Sequence, residues 1–249
     1  MDEDGRVLSK GLAQNVVGRI TGQPATVEKV DAQDKKQNAP LPYNLSSLQI
    51  DAAKRFGMSA KTVLDTCQSL YERHKLITYP RSDSRYLPQE QHAMAPSVIS
   101  TVNKGAPELT QGLDAPNAKF ESKAWNDKKV DAHHAIIPTP KKASINALSA
   151  SEIKIYQQIA RQYVMQFYPP AVYAESKLEF EIAGGLFVAK GKQMLEAGWK
   201  ALTGKSDVND EASDTVPALK QGEVLTCREG RIHDRKTEPP KHFTEATLL

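Results

Sequence analysis

The period of the apolar residues changes along this chain, and that change restricts the fold more than any single motif does. Between residues 46 and 168 apolar side chains recur at helical intervals, whereas beyond residue 176 they alternate as on a half-buried strand. A helical block followed by a strand block predicts an α+β fold in which the helices are segregated from the sheet.

Within the helical block the boundaries are marked by capping chemistry. Ser46 and Gln49 have capping-box spacing, and Leu48, Ala52 and Phe56 follow at helical intervals until Gly57. Ser59 caps a second helix whose apolar face is Val63, Leu64, Cys67, Leu70 and Tyr71, so residues 47–73 read as a helix-turn-helix. The stretch "LITYP" follows as a strand. Pro88 opens a third helix with Met94, Val98, Ile99 and Val102 on one face and Gly105 at its end, and residues 105–132 are loop-like. Ser149 and Glu152 form another capping box, starting a helix with Ile153, Tyr156, Ala160, Tyr163, Val164 and Phe167 inward that Pro169 and Pro170 terminate.

The flanks read differently. Leu8, Leu12, Val16 and Ile20 form a helical stripe stopped by Gly22, residues 25–31 alternate as a strand, and the polar run "DAQDKKQNAPLP" is a linker. At the other end "KLEFEIAGGLFVAKG" predicts a hairpin turning at Gly184 and Gly185. Residues 204–215 read as an acidic loop, "GEVLTCREGRIHDRKT" as a polar hairpin around Glu229 and Gly230, and "HFTEATLL" as the start of a helix. The expected division is therefore 1–39, 40–172 and 173–249, with a mainly helical domain inserted in a β-rich one.

Composition narrows the functional classes. No apolar run approaches the length of a membrane helix, and "MDEDGRVLSK" lacks the basic flank and apolar core of a signal peptide, so a cytoplasmic protein is expected. Cys67 and Cys227 are too few for a disulfide framework or a zinc site. The net charge of +3 allows a nucleic-acid partner without requiring one, although Lys119, Lys123, Lys128, Lys129, Lys141 and Lys142 cluster around "DAHHAIIPTPKK". No P-loop, dinucleotide-binding glycine pattern, Gly-x-Ser-x-Gly elbow or Asp-x-Asp pair occurs.

Two segments could carry chemistry. In "LITYPRSDSRYLP" Tyr79 is followed two positions later by Arg81. A tyrosine hydroxyl, with a free pKa of about 10, is a weak nucleophile that needs a nearby cation or a polarised phosphate. On a strand, this spacing sets both side chains on one face, and a guanidinium can grip a phosphate through two donors while stabilising the charge that develops on it. In "VDAHHAIIPT" His133 and His134 are adjacent, so on a strand they face opposite ways and do not share a metal. Taken locally, each pattern is more common as plain structure: a strand aromatic, a surface arginine, one bonded and one exposed histidine.

Together these segments resemble the two best-marked segments of the type IA DNA topoisomerases, and more closely the bacterial topoisomerase III branch. The likeness runs from "NAPLPYNLSSLQIDAAKRFGMSAKTVLDTCQSLYERHKLITYPRSDSRYLP" through "QYVMQFYPP" to "PPKHFTEATLL". It implies that Tyr79 attacks a phosphodiester of single-stranded DNA to give a 5′-phosphotyrosine and a free 3′-hydroxyl. It also implies that Arg81 positions that phosphate, that His133 helps to place phosphate and tyrosine, and that Thr78, Ser82 and Asp83 contact DNA in the same motif.

The same resemblance implies a central fragment, with the tyrosine domain set within the hinge domain at the top of a toroidal arch. The family's magnesium and its acid/base glutamate belong to a Toprim domain whose residues do not occur here, so the fragment is expected to hold no metal and to relax no DNA alone. Its partners would be single-stranded DNA and the remaining domains. Two other readings differ in class: a non-catalytic helix-turn-helix module that only binds DNA, with Tyr79 in its core, and a scaffold whose strands carry the arch.

Overall fold

The computed structural model describes residues 7–142, 145–203 and 215–248. Helices and a four-stranded sheet make an α+β fold, and the chain divides into two compact units. Unit 1 comprises Met1–Lys35, Val172–Leu195 and Glu211–Pro240; unit 2 comprises Lys36–Ala171, Glu196–Asp210 and Lys241–Leu249.

Unit 1 contains α1 (Lys10–Ile20) and most of the sheet: β1 (Pro24–Gln37), β2 (Ala171–Ile182), β3 (Gly185–Glu196) and β4 (Val224–Thr226), in the order β3-β2-β1-β4. Ser9 caps α1 by accepting from the Leu12 amide. Only Ile20 of the expected stripe is buried, packed with Ala25 and Ile182 and flanked by Val16, Phe180 and Phe187, while Leu8 and Leu12 remain exposed.

Several sequence expectations change here. The polar run after residue 31 is not a linker: β1 continues to Gln37 with its side chains in solvent. Strand pairing joins backbone groups, so a charged strand persists where a neighbouring strand supplies the ladder, helped by a 2.6 Å ion pair from Lys35 to Glu175 on β2. The β2–β3 turn consists of Ala183 and Gly184 rather than two glycines, both at positive φ (49° and 76°), the combination that matches strand twist in a two-residue hairpin. No hairpin forms around Glu229 and Gly230: residues 224–226 pair antiparallel with β1, from Pro24↔Thr226 to Thr26↔Val224, and Gly230 lies close against Val17 of α1. Of the acidic loop expected at residues 204–215, all but residue 215 lies outside the described residues.

Unit 2 is built on α2 (Leu45–Phe56), α3 (Ala60–Glu72), the short α4 (Gln89–His92), α5 (Ala95–Gly105), α6 (Ala150–Val164) and the terminal α7 (Glu245–Leu248). The first capping box is Asn44 with Ser47, two residues before the expected pair, because the Asn44 amide oxygen is the one that accepts from the Ser47 amide. Gly57 ends α2 at φ 66°, Ser59 caps α3, and Ser149 with Glu152 caps α6, all at the positions read from sequence. The third helix is broken at Ala93–Met94, and Met94 is exposed whereas Val98, Ile99 and Val102 are buried.

The core of unit 2 joins Leu48 and Ala52 of α2, Val63, Cys67 and Leu70 of α3, and Ile155, Tyr156, Ile159 and Tyr163 of α6, every one of them at most 1% exposed. Ile155 and Ile159 replace the half-buried Ile153 as inward residues, since α6 is covered on most of its circumference. Gln162 on α6 and Gln166 in the 3-10 turn that follows it donate to the carbonyls of Leu41 (2.8 Å) and Pro40 (2.7 Å), fixing the proline-broken entry of the chain. Residues 196–202 and 241–248 group with unit 2, whereas the pattern had set everything after residue 173 with the β-rich part. Trp199 anchors the first of these by donating to the Gln37 carbonyl at 2.9 Å. Gly198, at φ 50°, lets this segment approach the chain so closely that a Cβ would stand 2.3 Å from the Pro169 oxygen.

Candidate active site

The segment expected to be a strand at residues 76–80 is not one. Lys75 takes a left-handed conformation (φ 57°), which turns the chain back after α3, and beyond it only Ile77 forms a bridge, with Pro138. The two proline-bearing segments touch through few ladder bonds because Pro138 and Pro80 have no amide to give. What secures them is Thr78. Its amide donates to the Ile137 carbonyl (2.9 Å), its hydroxyl accepts from the Ile137 amide (3.0 Å), and the same hydroxyl donates to the Ala135 carbonyl (3.2 Å). The Thr139 amide donates to the Leu76 carbonyl at 2.9 Å, closing the other end.

This clamp brings "LITYP" and "DAHHAIIPT" side by side. The half-buried ring of Tyr79 stacks on exposed His133, with centroids 4.5 Å apart and planes 30° apart. It also meets the ring of Tyr71 edge-on, at 5.7 Å and 80°. His134 is turned away from that stack into a 2.7 Å bond between its Nδ1 and the Ala135 carbonyl.

Arg81 is exposed and donates to the Gln68 side-chain oxygen on α3 at 3.2 Å, while Gln68 in turn donates to Glu72 at 2.8 Å. A neutral partner orients the guanidinium without cancelling its charge, and no carboxylate among the described residues pairs with it. That is the state in which an arginine can receive an anion.

Ser82 and Asp83 are placed differently from Arg81. Ser82 is 1% exposed, its carbonyl accepts from the Leu45 amide and its hydroxyl from the Ser84 amide, so it ties the segment to the start of α2. Asp83 is exposed, and its backbone oxygen accepts from Asn44 at 3.0 Å. Arg85 reaches inward to the carbonyls of Pro42 (3.0 Å) and Leu41 (2.8 Å). Lys119, Lys123, Lys128, Lys129, Lys141 and Lys142 are all exposed, and Lys129 lies over the Tyr86 ring at 4.8 Å.

Tyr71, Gln68 and Glu72 are the neighbours that the sequence did not announce. Tyr71 reads there as one more apolar residue of α3; it is half-buried and faces Tyr79. Among the described residues no group of three or more His, Cys, Asp or Glu is arranged to hold a metal ion, so the magnesium implied by the resemblance finds no ligand set here. No described helix is long and apolar enough to cross a membrane.

Comparison with known proteins places this chain in a family. The sequence matches the DNA topoisomerase family over residues 1–249. It is 62% identical over 248 residues to DNA topoisomerase 3 of Vibrio cholerae and 54% identical over 251 residues to that of Haemophilus influenzae, covering 100% of this chain and 38% of each relative. Identity to DNA topoisomerase 3 of Bacillus subtilis is 36%, covering 98% of this chain and 34% of that protein. The chain thus spans little more than a third of the length of these relatives. Full-length topoisomerase I from Thermotoga maritima shares the fold at 18% identity, with a TM-score of 0.63 over 91% of this chain and 36% of that one. The chain belongs to the DNA topoisomerases, and within them to the type IA enzymes of the topoisomerase 3 branch.

Proposed function

We propose that this chain supplies the nucleophilic half of a DNA-cleaving site and that Tyr79 is the nucleophile. The observation that carries the reading is that Tyr79, stacked on His133, shares one clamped pair of segments with Arg81, whose guanidinium meets no carboxylate among the described residues. In the reaction the Tyr79 hydroxyl loses its proton and its oxygen bonds to phosphorus; the bond from phosphorus to the 3′-oxygen breaks, and that oxygen leaves with a proton as a free 3′-hydroxyl. Reversal of the same step reseals the strand, so the phosphodiester is conserved in the covalent link. Strand passage between the two steps changes DNA topology, by relaxation or decatenation.

Arg81 holds the phosphate and offsets charge on its oxygens as the fifth bond forms. His133, lying against the Tyr79 ring, is placed to keep the tyrosine and phosphate in register. Thr78 and Ser82 act through the backbone they fasten, since their hydroxyls are engaged internally. The exposed lysines offer a path for a single strand. No step is assigned to magnesium, for which these residues provide no site; metal and acid/base groups are expected from other parts of the full-length protein.

The helix-turn-helix alternative is less favoured because a recognition helix reads bases with its N-terminal residues. At the start of α3 the Ala60 amide is occupied by the Glu245 carboxylate at 2.6 Å, and Lys61 is paired with Asp65 at 2.6 Å. The test is Tyr79→Phe in the full-length protein carrying this chain, with a labelled single-stranded oligonucleotide and detergent trapping of covalent adducts. Loss of the adduct with an unchanged melting temperature supports the reading; adduct formation at the parental rate refutes it.

A further inference from the structure

We infer that Tyr71 is a positioning residue for the nucleophile: its ring holds the Tyr79 ring in the orientation from which the hydroxyl reacts. This rests on the reaction proposed above and adds a residue to it.

The need arises from the backbone. Tyr79 lies on a segment with a single bridge, at Ile77, and beyond that bridge no ladder continues through it. Backbone pairing therefore fixes where the side chain starts but not where it points. A tyrosine hydroxyl is at the far end of a two-torsion side chain, so a modest rotation moves the reacting oxygen more than any other atom. Neighbouring rings have to supply the restraint.

Two rings touch Tyr79, and they differ in rigidity. His133 belongs to an exposed stretch without regular structure. Tyr71 is in the last turn of α3, at the edge of the face whose Val63, Cys67 and Leu70 are fully buried in the core of unit 2. A 5.7 Å, 80° contact is within the range where the positive edge of one ring is attracted to the negative face of another. The rigid half of the restraint is therefore Tyr71.

The local chain path serves this contact. The left-handed turn at Lys75 and the bond from the Leu76 amide to the Leu70 carbonyl (2.9 Å) fold the segment back along the helix it has just left. The Lys75 ammonium lies 5.6 Å from the centre of the Tyr71 ring. Gln68, one turn earlier, holds Arg81, so residues three apart on one helix face orient both groups that would meet the phosphate. The Tyr71 hydroxyl makes no hydrogen bond to any described residue, which assigns the role to the ring.

The experiment uses the full-length protein carrying this chain and separates cleavage from binding. Oligonucleotide affinity and the rate of adduct formation at saturating oligonucleotide are measured for Tyr71→Ala, Tyr71→Leu and Tyr71→Phe, with Tyr79→Phe as the control. The Ala and Leu variants are expected to form adduct about two- to twelvefold more slowly, as expected from the strength of one aromatic pair, with affinity unchanged. The Phe variant should match the parent. Leucine preserves bulk, so it serves where alanine lowers the melting temperature. Parental rates in Tyr71→Leu, a loss in Tyr71→Phe as large as in Leu, or a rate that falls only in step with affinity overturns the inference. Adduct persisting in Tyr79→Phe instead refutes the proposed reaction, whatever Tyr71 does.

Discussion

Replacing Thr78 by valine tests whether the two segments of the site are held as described. Valine keeps the shape and the β-branch and removes only the hydroxyl, so packing is preserved while two hydrogen bonds are lost. The partners do not suffer equally. The Ala135 carbonyl keeps its bond from His134 Nδ1 (2.7 Å), but the Ile137 amide, on a residue 2% exposed, has the Thr78 hydroxyl as its acceptor at 3.0 Å and is left without one. An orphaned buried donor costs about 1–3 kcal/mol. With about 2 kcal/mol as the central value, the melting temperature should fall by about 4–8 °C for a protein of this size. Urea titration and thermal melting measure the loss, and hydrogen exchange at the Ile137 amide locates it. Thr78→Ser, which keeps the hydroxyl, should lose less than half as much. Because the clamp carries His133 to Tyr79, adduct formation by the full-length Val variant should slow as well. A Thr78→Val protein as stable as its parent, with the Ile137 amide equally protected, would show that the hydroxyl does not hold these segments together.

Two further outcomes are expected. Burial raises the pKa of the Glu152 carboxyl, but hydrogen bonds from Ser69 and Ser149 and the charge of His74 outweigh it and bring the value down to about 2. A depressed carboxylate stabilises the fold above its unfolded pKa, so this contribution is complete above about pH 4.5 and is lost as pH falls toward 2; allowing for solvent at its edge, it amounts to about 1–2 kcal/mol. Glu152→Gln should therefore be less stable at neutral pH and show a shallower acid limb in a pH series of urea melts; identical limbs would remove the carboxylate from the account. The exposed lysines around His133 predict weak binding to single-stranded DNA that declines as salt rises, because each phosphate contact releases counterions; titrations of a labelled strand at two salt concentrations test this, and salt-independent binding or a preference for duplex counts against it.

How much of this was legible in the sequence depends on the kind of signal. Caps and breakers act within a turn, so Ser59, Gly57 and the Ser149–Glu152 pair marked helix ends correctly, whereas α6 ends at Val164 and passes through a 3-10 turn to Phe167 before Pro169–Pro170. The far half of β1 was illegible because its residues are charged and its support is a backbone ladder from another strand. The 76–80 segment was misread as a strand because β-branched residues announce extended backbone without revealing whether a partner ladder exists. Likewise Tyr71 satisfied the period of α3, but period gives a direction and not the neighbour found there. The pairing of Tyr79 with His133 lies beyond any local rule, since the Thr78 clamp joins segments far apart in the chain; motif resemblance alone suggested the two belonged together, and the 4.5 Å stack shows them adjacent.

The central claim is that Tyr79 forms the bond to DNA, and the most direct measurement is to locate that bond. The full-length protein is incubated with a single-stranded oligonucleotide, the adduct is trapped with detergent, and protease and nuclease digestion leave a nucleotide remnant on one peptide for mass spectrometry. The account predicts the remnant on the peptide of residues 76–81, attached through phosphate to the Tyr79 oxygen. A remnant on Tyr71, Tyr86 or any other residue, with Tyr79 unmodified, would contradict it.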